Sequence, residues 1–537
     1  MFTSGRLKIP EAFPPVKCAR RRVDGYFPST MIAVLQRTPY AGALLTGLLM
    51  GIAFPPGFLG AVAWIGLVPL LIRLSAELGW RDAAKESLLA STITTVIVGH
   101  WTLFHPMASA QAASLAGLLT LSITSAMPFC LFGLPEKRVS LAFRFGLLFG
   151  SSAAIEYAQF HTEIGFPWLA LGHTQATLFP INQLAAYVGT PGLSTFVLVT
   201  NALIVSAILG KPRPGKATQA PLAAFLAVSL ILGFARSGTQ HEIIGMHRVL
   251  AVQPALSADA WSDVRDHRRP LRLIELTRAG LEEPIDLIIW PETSLSVLQA
   301  GDEPRSSFQE LASFVDSAGV PLLTGAIIEE VPGGTRKTVY YNSAVVLSPF
   351  VGITGRYDKR IPVPFAERVP YLDRYPWLER LALQAGGVSG YGAGTRIGIL
   401  EIDGVRVGIM ICFESAFGRA ARAGSPEMPA YLVVLAQDGW WGNSAGYQQH
   451  FAITRLRAIE TGRAAVQVTV TGTTGLILRD GSSVDETEWM DRTVRAYEVP
   501  VYRGTTPYTR FGDLPVLLFG LLLLLSGIGF HLRVPNV

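Results

Sequence analysis

The sequence predicts two fold classes in one chain. One is a polytopic α-helical membrane bundle of about eight spans, and the other is an extracytoplasmic α/β layered domain carried between the seventh and eighth spans. Three observations predict this. First, 50% of the 537 residues are apolar and only 16% are charged, against about 25% charged in a soluble domain; mean hydropathy is +0.36. Second, the charge deficit is confined to residues 40–235 and the last twenty-five, while residues 236–510 have ordinary globular composition. Third, the cations between the apolar runs fall on alternate loops, as a single membrane orientation requires.

Residues 1–39 read as a basic, aperiodic tail, disordered or cytoplasmic; Met31 also opens a plausible shorter chain. No cleavable signal peptide is read, because the apolar run after Tyr40 leads straight into further spans. Spans are expected at 40–56, 58–74, 88–105, 112–134, 141–160, 181–209, 221–235 and 514–532. Arg73, Arg81 and Lys85 follow the second, Lys137, Arg138 and Arg144 the fourth, Lys211, Arg213 and Lys216 the sixth, and Arg533 the last. Loops 105–111 and 161–180 carry no lysine or arginine. With a basic N-terminus inside, every basic loop is cytoplasmic, residues 236–510 lie outside, and 511–537 form a final helix and a short cytoplasmic tail. The net charge of +5 is therefore read as a topology signal, and no nucleic-acid partner is expected. Glu156, inside the fifth span, is either a structural hydrogen-bond partner or part of a headgroup site.

In the outer domain, strands are expected at 248–253, 285–290, 320–328, 340–348, 396–402, 405–411, 430–436, 464–470 and 474–479. Helices are expected at 262–280, 304–318 and 446–462, with a short one after Glu414. This alternation predicts α/β layers. The Gly-rich run 386–394 lacks a phosphate-loop signature and reads as a flexible loop or lid. Of three cysteines, Cys18 lies in the basic tail and Cys130 in an apolar span, so Cys412 alone belongs to the outer domain. That excludes a disulfide framework within it.

Cys412 ends the apolar run Val405-Arg406-Val407-Gly408-Ile409-Met410-Ile411, and α/β folds place reactive groups at strand ends. Ile288-Ile289-Trp290-Pro291-Glu292 is a second strand ending in an acid, and Lys359 precedes the Pro-stiffened loop Ile361-Pro362-Val363-Pro364-Phe365-Ala366-Glu367. Singly, these are a core thiol, a loop acid and a loop lysine. Together they supply a nucleophile, a base and a donor for a developing oxyanion. Glu414 reads equally as a cap for the following helix. Trp261 is either core packing or a contact for an apolar substrate. The loop Val369-Pro370-Tyr371-Leu372-Asp373-Arg374-Tyr375-Pro376-Trp377 suits a membrane interface, where it would gate lipid entry. His450 sits early in an amphipathic helix, a poor place for the base of a Cys-His pair. Without CxxC, HExxH or an acidic cluster, no metal or cofactor is expected.

The order Glu292, Lys359, Cys412 resembles the nitrilase, or carbon–nitrogen hydrolase, superfamily. From about Leu44 onward the chain is more closely similar to its membrane-embedded branch, the apolipoprotein N-acyltransferases. Asp438-Gly439-Trp440-Trp441-Gly442 with Gln449-His450-Phe451 carries much of that resemblance, as does Gly165-Phe166-Pro167-Trp168-Leu169 beneath the domain. The resemblance implies a four-layer αββα sandwich and a Glu292–Lys359–Cys412 triad supported by Glu367 and Glu414. Substrate contacts would come from Trp261, Phe413, Trp440, Tyr371 and Trp377. It further implies transfer of an acyl chain from a phospholipid, through a cysteine thioester, to the amine of a diacylglyceryl-cysteine apolipoprotein in the bacterial inner membrane. The usual Cys-Tyr-Glu is Cys412-Phe413-Glu414 here, Gln437 stands where the family has asparagine, and the Thr-Asn-Asn-Gly turn is Thr469-Val470-Thr471-Gly472. A membrane-tethered amidase of small amides and a non-catalytic scaffold are the rival readings.

Overall fold

The computed structural model describes residues 26–57, 59–76, 78–105, 108–134, 139–209, 216–238, 242–262, 268–281, 284–299, 306–331, 338–375, 377–378, 390–422 and 428–533. Cys18, the loop cations Lys137, Arg138, Lys211 and Arg213, and the first four residues of the Gly-rich run lie outside them.

Each expected span coincides with helix. Trp80–Phe104, Ser114–Gly133, Ile181–Leu209, Ala220–Gly238 and Leu514–Leu532 are long and apolar enough to cross a membrane, whereas Ala41–Ala53 and Leu59–Leu74 are apolar but shorter. Leu141–His161 has the length and carries Arg144 and Glu156 within it. It packs on Leu514–Arg533 through small residues. A Cβ on Gly146 would lie 3.0 Å from the Leu523 carbonyl oxygen, and one on Gly520 would lie 2.8 Å from the Ala153 Cβ. Such contacts replace the hydrophobic drive that lipid cannot provide.

Two features depart from the sequence reading. Tyr26–Arg37 is helical rather than an aperiodic tail, because Ile32 and Leu35, three residues apart, reach the apolar core of the bundle. Arg73 and Arg144, read as loop charges, are buried. The Arg73 Nε lies 2.9 Å from a Glu86 carboxylate oxygen that also accepts the Tyr40 amide at 2.8 Å. Arg144 donates to the Leu74 and Phe132 carbonyls. A cation inside a bundle persists when acids and helix-end carbonyls neutralise it. These two serve as ties between helices.

Two sheets form the outer domain. In the first, strands β1 (Ile243–Gln253), β2 (Leu287–Ile289), β3 (Leu295–Gln299), β4 (Leu322–Glu330), β5 (Val339–Ser348), β6 (Gly352–Asp358) and β13 (Thr493–Tyr502) run in the order β13-β1-β2-β4-β5-β6, with β3 on β4. The second contains β7 (Ile399–Ile402), β8 (Val405–Ile411), β9 (Tyr431–Ala436), β10 (Ala465–Thr469), β11 (Gly475–Ile477) and β12 (Ser483–Val484), ordered β12-β11-β10-β9-β8-β7. Strands β1, β2 and β4 are parallel, as are β8, β9 and β10.

Alternation along the strands divides the burial. Val249, Ile289, Val407 and Val433 meet between the sheets. Leu250 and Ile288 turn outward onto helices Arg269–Arg278 and Ser306–Ala318. Met410 and Val434 turn onto helix Ala445–Thr461. The result is a four-layer αββα sandwich.

Helix Ala445–Thr461 belongs to both halves of the molecule. Phe451 and Ala458 pack on the second sheet, while Ala452, Leu456 and Ile459 pack into the core of the bundle. Gln449 accepts from the Trp101 and Trp168 indoles at 3.0 and 2.7 Å and donates to the Pro55 and Val98 carbonyls. Three membrane-side segments thereby converge on one side chain of the sandwich.

Candidate active site

The candidate groups gather at the carboxyl ends of parallel strands, where the chain leaves the sheet and backbone polar groups come free. Glu292 follows β2, Cys412 follows β8, and Asp438 follows β9. Lys359 follows β6, which runs antiparallel to β5 as β5 does to β4, and so ends at the same edge.

The Lys359 ammonium is 2% exposed and lies 2.8 Å from Glu367 Oε1 and 3.8 Å from Glu292 Oε1. Burial opposes its charge, but the Glu367 and Glu292 carboxylates outweigh it, and the lysine is held above its ordinary range. Asn342, on β5, donates to Glu292 Oε1 at 2.7 Å, and its carbonyl accepts the Lys359 amide at 2.8 Å. The second Glu367 oxygen accepts the Val363 amide at 2.7 Å, which closes the Pro-stiffened loop around the acid. Burial raises Glu292 above the ordinary carboxyl range, with Lys359 opposing. The same two influences set Cys412: burial and then Glu292 push the thiol well up, and Lys359 pulls it back. At rest the sulfur therefore keeps its proton.

Cys412 has φ +50°, a left-handed conformation that costs a non-glycine residue about 1–3 kcal/mol. It turns the chain from β8 into the short helix Cys412–Ala416. Glu414 secures that turn: its carboxylate accepts from the Ile411, Arg360 and Ile361 amides at 2.9, 2.8 and 3.2 Å and from the Tyr357 hydroxyl at 2.8 Å. Glu414 thus links the Cys412 turn to the lysine loop and is closed off from the cavity. The amides it binds all precede it, in its own turn and in the lysine loop, rather than in the helix that follows, which it was expected to cap.

A cavity of about 530 Å³ opens onto Glu292, Glu367 and Cys412 and continues to helix Ala108–Gly133, where Leu118 and Leu121 line it. Trp261, Phe413 and Trp440 line it too. The Trp261 indole donates to Thr293 Oγ1 at 2.8 Å beneath the Arg269 guanidinium. Phe413 stacks on Phe166 with centroids 5.1 Å apart, so the missing phenol leaves the aromatic contact intact. Trp440 stacks on His105 at 5.1 Å. Tyr371 and Trp377 stand apart from the lining. The Tyr371 amide donates to Glu163, at the end of the fifth helix, and Trp377 is 68% exposed.

Sequence reasoning missed Asn342 and the setting of His450. Asn342 carried one weak signal, a polar residue inside the strand Tyr340-Tyr341-Asn342-Ser343-Ala344. His450 is fully buried between Asp438 and the Cys412 carbonyl.

This architecture defines the class: a carbon–nitrogen hydrolase-type sandwich built onto a membrane bundle. Residues 250–501 match the sequence model of the family described as carbon-nitrogen hydrolase, and residues 46–203 match that of the apolipoprotein N-acyltransferase N-terminal domain. The chain is 30% identical over 505 residues to the apolipoprotein N-acyltransferase of Azotobacter vinelandii, covering 90% of this chain and 93% of the relative. To that of Chlorobaculum tepidum it is 29% identical over 520 residues, covering 92% and 96%; to that of Geobacter metallireducens, 29% over 497 residues, covering 89% and 92%. The chain belongs to the apolipoprotein N-acyltransferase family.

Proposed function

We propose that the chain transfers a fatty acyl group from a membrane phospholipid, through a thioester on Cys412, to the α-amine of a diacylglyceryl-cysteine apolipoprotein. Lipoprotein N-acylation is the activity its relatives are named for. The observation that carries the chemical assignment is one cavity joining Glu292 and Cys412, with the buried Lys359 ammonium 3.8 Å from Glu292, to the apolar wall of a membrane helix.

Glu292 is the base. It takes the thiol proton, and the sulfur attacks the ester carbonyl, forming a C–S bond and an oxyanion that the Lys359 ammonium stabilises. Collapse breaks the C–O bond, and Glu292 returns its proton to the departing lysophospholipid oxygen. The amine then attacks the thioester, Glu292 accepts the proton it sheds, and as the C–S bond breaks Glu292 passes that proton to the departing sulfur, releasing the N-acylated product and restoring the thiol and the carboxylate. Glu367 keeps Lys359 charged and in place, and Glu414 sets the turn. Burial supports a base poised high, since a raised carboxyl pKa narrows the gap to the thiol.

The chain is an inner-membrane protein in this reading, with about eight spans and the sandwich on the periplasmic side. The alternating loop charges support that side. So does the packing of Pro55, Trp101, Trp168 and Thr190, all from loops or helix ends free of lysine and arginine, against the sandwich. A small-amide hydrolase has no use for the apolar arm of the cavity.

Intact mass of the detergent-purified protein after incubation with phospholipid tests the assignment. A fatty-acyl gain on wild type but not on Cys412→Ala, discharged by a diacylglyceryl-cysteine peptide, is expected. Discharge by water alone, or no adduct, overturns it.

A further inference from the structure

His450 has no part in the proton transfers described above, yet it is buried against the nucleophile. Its Nδ1 lies 2.8 Å from Asp438 Oδ1, and its Nε2 lies 3.1 Å from the Cys412 carbonyl oxygen and 2.8 Å from Ser415 Oγ. A carboxylate and a carbonyl oxygen only accept, so each ring nitrogen faces an acceptor and each is satisfied by an N–H. Burial alone would lower the imidazole, and Asp438 beside it reverses this, leaving the ring above its ordinary range. Asp438, His450 and Ser415 lie in the order of a serine hydrolase triad, but Ser415 is wholly buried and absent from the cavity lining. The group therefore acts on backbone.

What it acts on is the strained residue. Cys412 holds φ +50°, and the carbonyl that follows that torsion is the one His450 binds. Further along the same turn, the Arg457 guanidinium donates to the Ser415 carbonyl at 3.1 Å and also to Thr190 on the membrane side. His450 itself lies between the Trp168 and Trp441 rings, each with its centroid 6.0 Å away, and follows Gln449, which grips the floor of the bundle. We propose that His450, held by Asp438, is a positioning residue: it donates to the Cys412 carbonyl and locks the thiol in its attack geometry relative to the membrane floor. This rests on the acyltransferase reading of the site.

The test measures single-turnover thioester formation on full-length protein in detergent with dioleoyl phosphatidylethanolamine, read by intact mass, for wild type, His450→Ala, His450→Gln and Asp438→Asn. Loss of nucleophile alignment costs about 100-fold, so His450→Ala is expected to form thioester about 100-fold more slowly at an unchanged half-saturating lipid concentration. His450→Gln, which keeps a donor, recovers most of the rate. Asp438→Asn is nearly isosteric and slows acylation, because without the carboxylate the ring is neutral and its one proton either leaves Nε2 or makes a weaker, uncharged donation to the carbonyl. Wild-type rates in Asp438→Asn, or a loss in His450→Ala that appears only as weaker lipid saturation or that glutamine does not relieve, overturn the proposal. A wild type that forms no thioester instead defeats the acyltransferase reading itself.

Discussion

Glu292 and Glu414 are both buried carboxylates within the same domain, and burial raises both above the ordinary range. Their surroundings differ. Glu292 faces a cavity, accepts a hydrogen bond from Asn342, and shares one lysine with Glu367. Glu414 is walled in and accepts from three backbone amides and a tyrosine hydroxyl drawn from two segments. A carboxylate saturated with donors is fixed in charge and place, whereas one left with few donors beside a cavity can exchange a proton. Two acids that look alike in sequence thus differ in donor count, which under the proposed mechanism leaves one to chemistry and the other to architecture.

Substitution at the two positions gives the largest separation. Glu292→Gln is expected to slow thioester formation by about 10³-fold or more, as loss of a general base does, with the melting temperature in detergent essentially unchanged. Glu414→Gln sets an amide donor against backbone donors, and each buried group left unsatisfied costs about 1–3 kcal/mol. It is expected to lower the melting temperature by several degrees and to lose activity as a consequence. A Glu414→Gln protein with wild-type melting and no acylation would break the comparison.

The pH profile sharpens it. In the proposed mechanism the Glu292 carboxylate accepts the thiol proton, and burial raises the pH at which that carboxylate forms. Acylation should therefore fall as pH drops through a value above that of an exposed glutamate, and Glu292→Gln should abolish this limb. The linkage sign is opposite for stability. A carboxyl whose folded pKa is raised binds more protons folded than unfolded, so its contribution is fully present below the unfolded value and is lost as pH rises through the folded one. Asn342→Ala removes the side-chain donor to Glu292 and should move the acid limb upward while costing about tenfold in rate. The smallest effect is expected at the rim: Trp377→Glu should slow loading from bilayer nanodiscs roughly threefold and leave loading from detergent unaffected, as an interfacial anchor would. Equal rates in both media would remove that role.

Much of this was legible in the sequence for a physical reason. Continuous β-branched runs such as Val405-Arg406-Val407-Gly408-Ile409-Met410-Ile411 have few alternatives to a doubly buried strand, and spans announce themselves by length and composition. The short strands β3 and β12 were not read, and neither were the longer β6 and β13. Strand β6 carries Gly352 and Gly355, and β13 is an edge strand with Arg495 and Glu498 on it, the charged dress of exposed edges. The catalytic candidates stood out because each ends a strand. Asn342 did not, since its meaning depends on β5 crossing beside β2 and β6. Arg73 and Arg144 misled a charge count for the same reason: their partners lie elsewhere along the chain, and a linear reading cannot distinguish a loop cation from a buried one.

The helix Ala445–Thr461 has one further consequence, for autonomy. With one flank in the sandwich and the other in the bundle, it leaves little more than Gln448 and Arg455 to water. Cutting the chain after Gly238 and before Leu514 would yield a domain exposing Ala452, Leu456 and Ile459 as a contiguous apolar stripe and leaving Gln449 without its four partners. Here the reaction chamber shares a wall with the membrane domain, and neither half is complete alone.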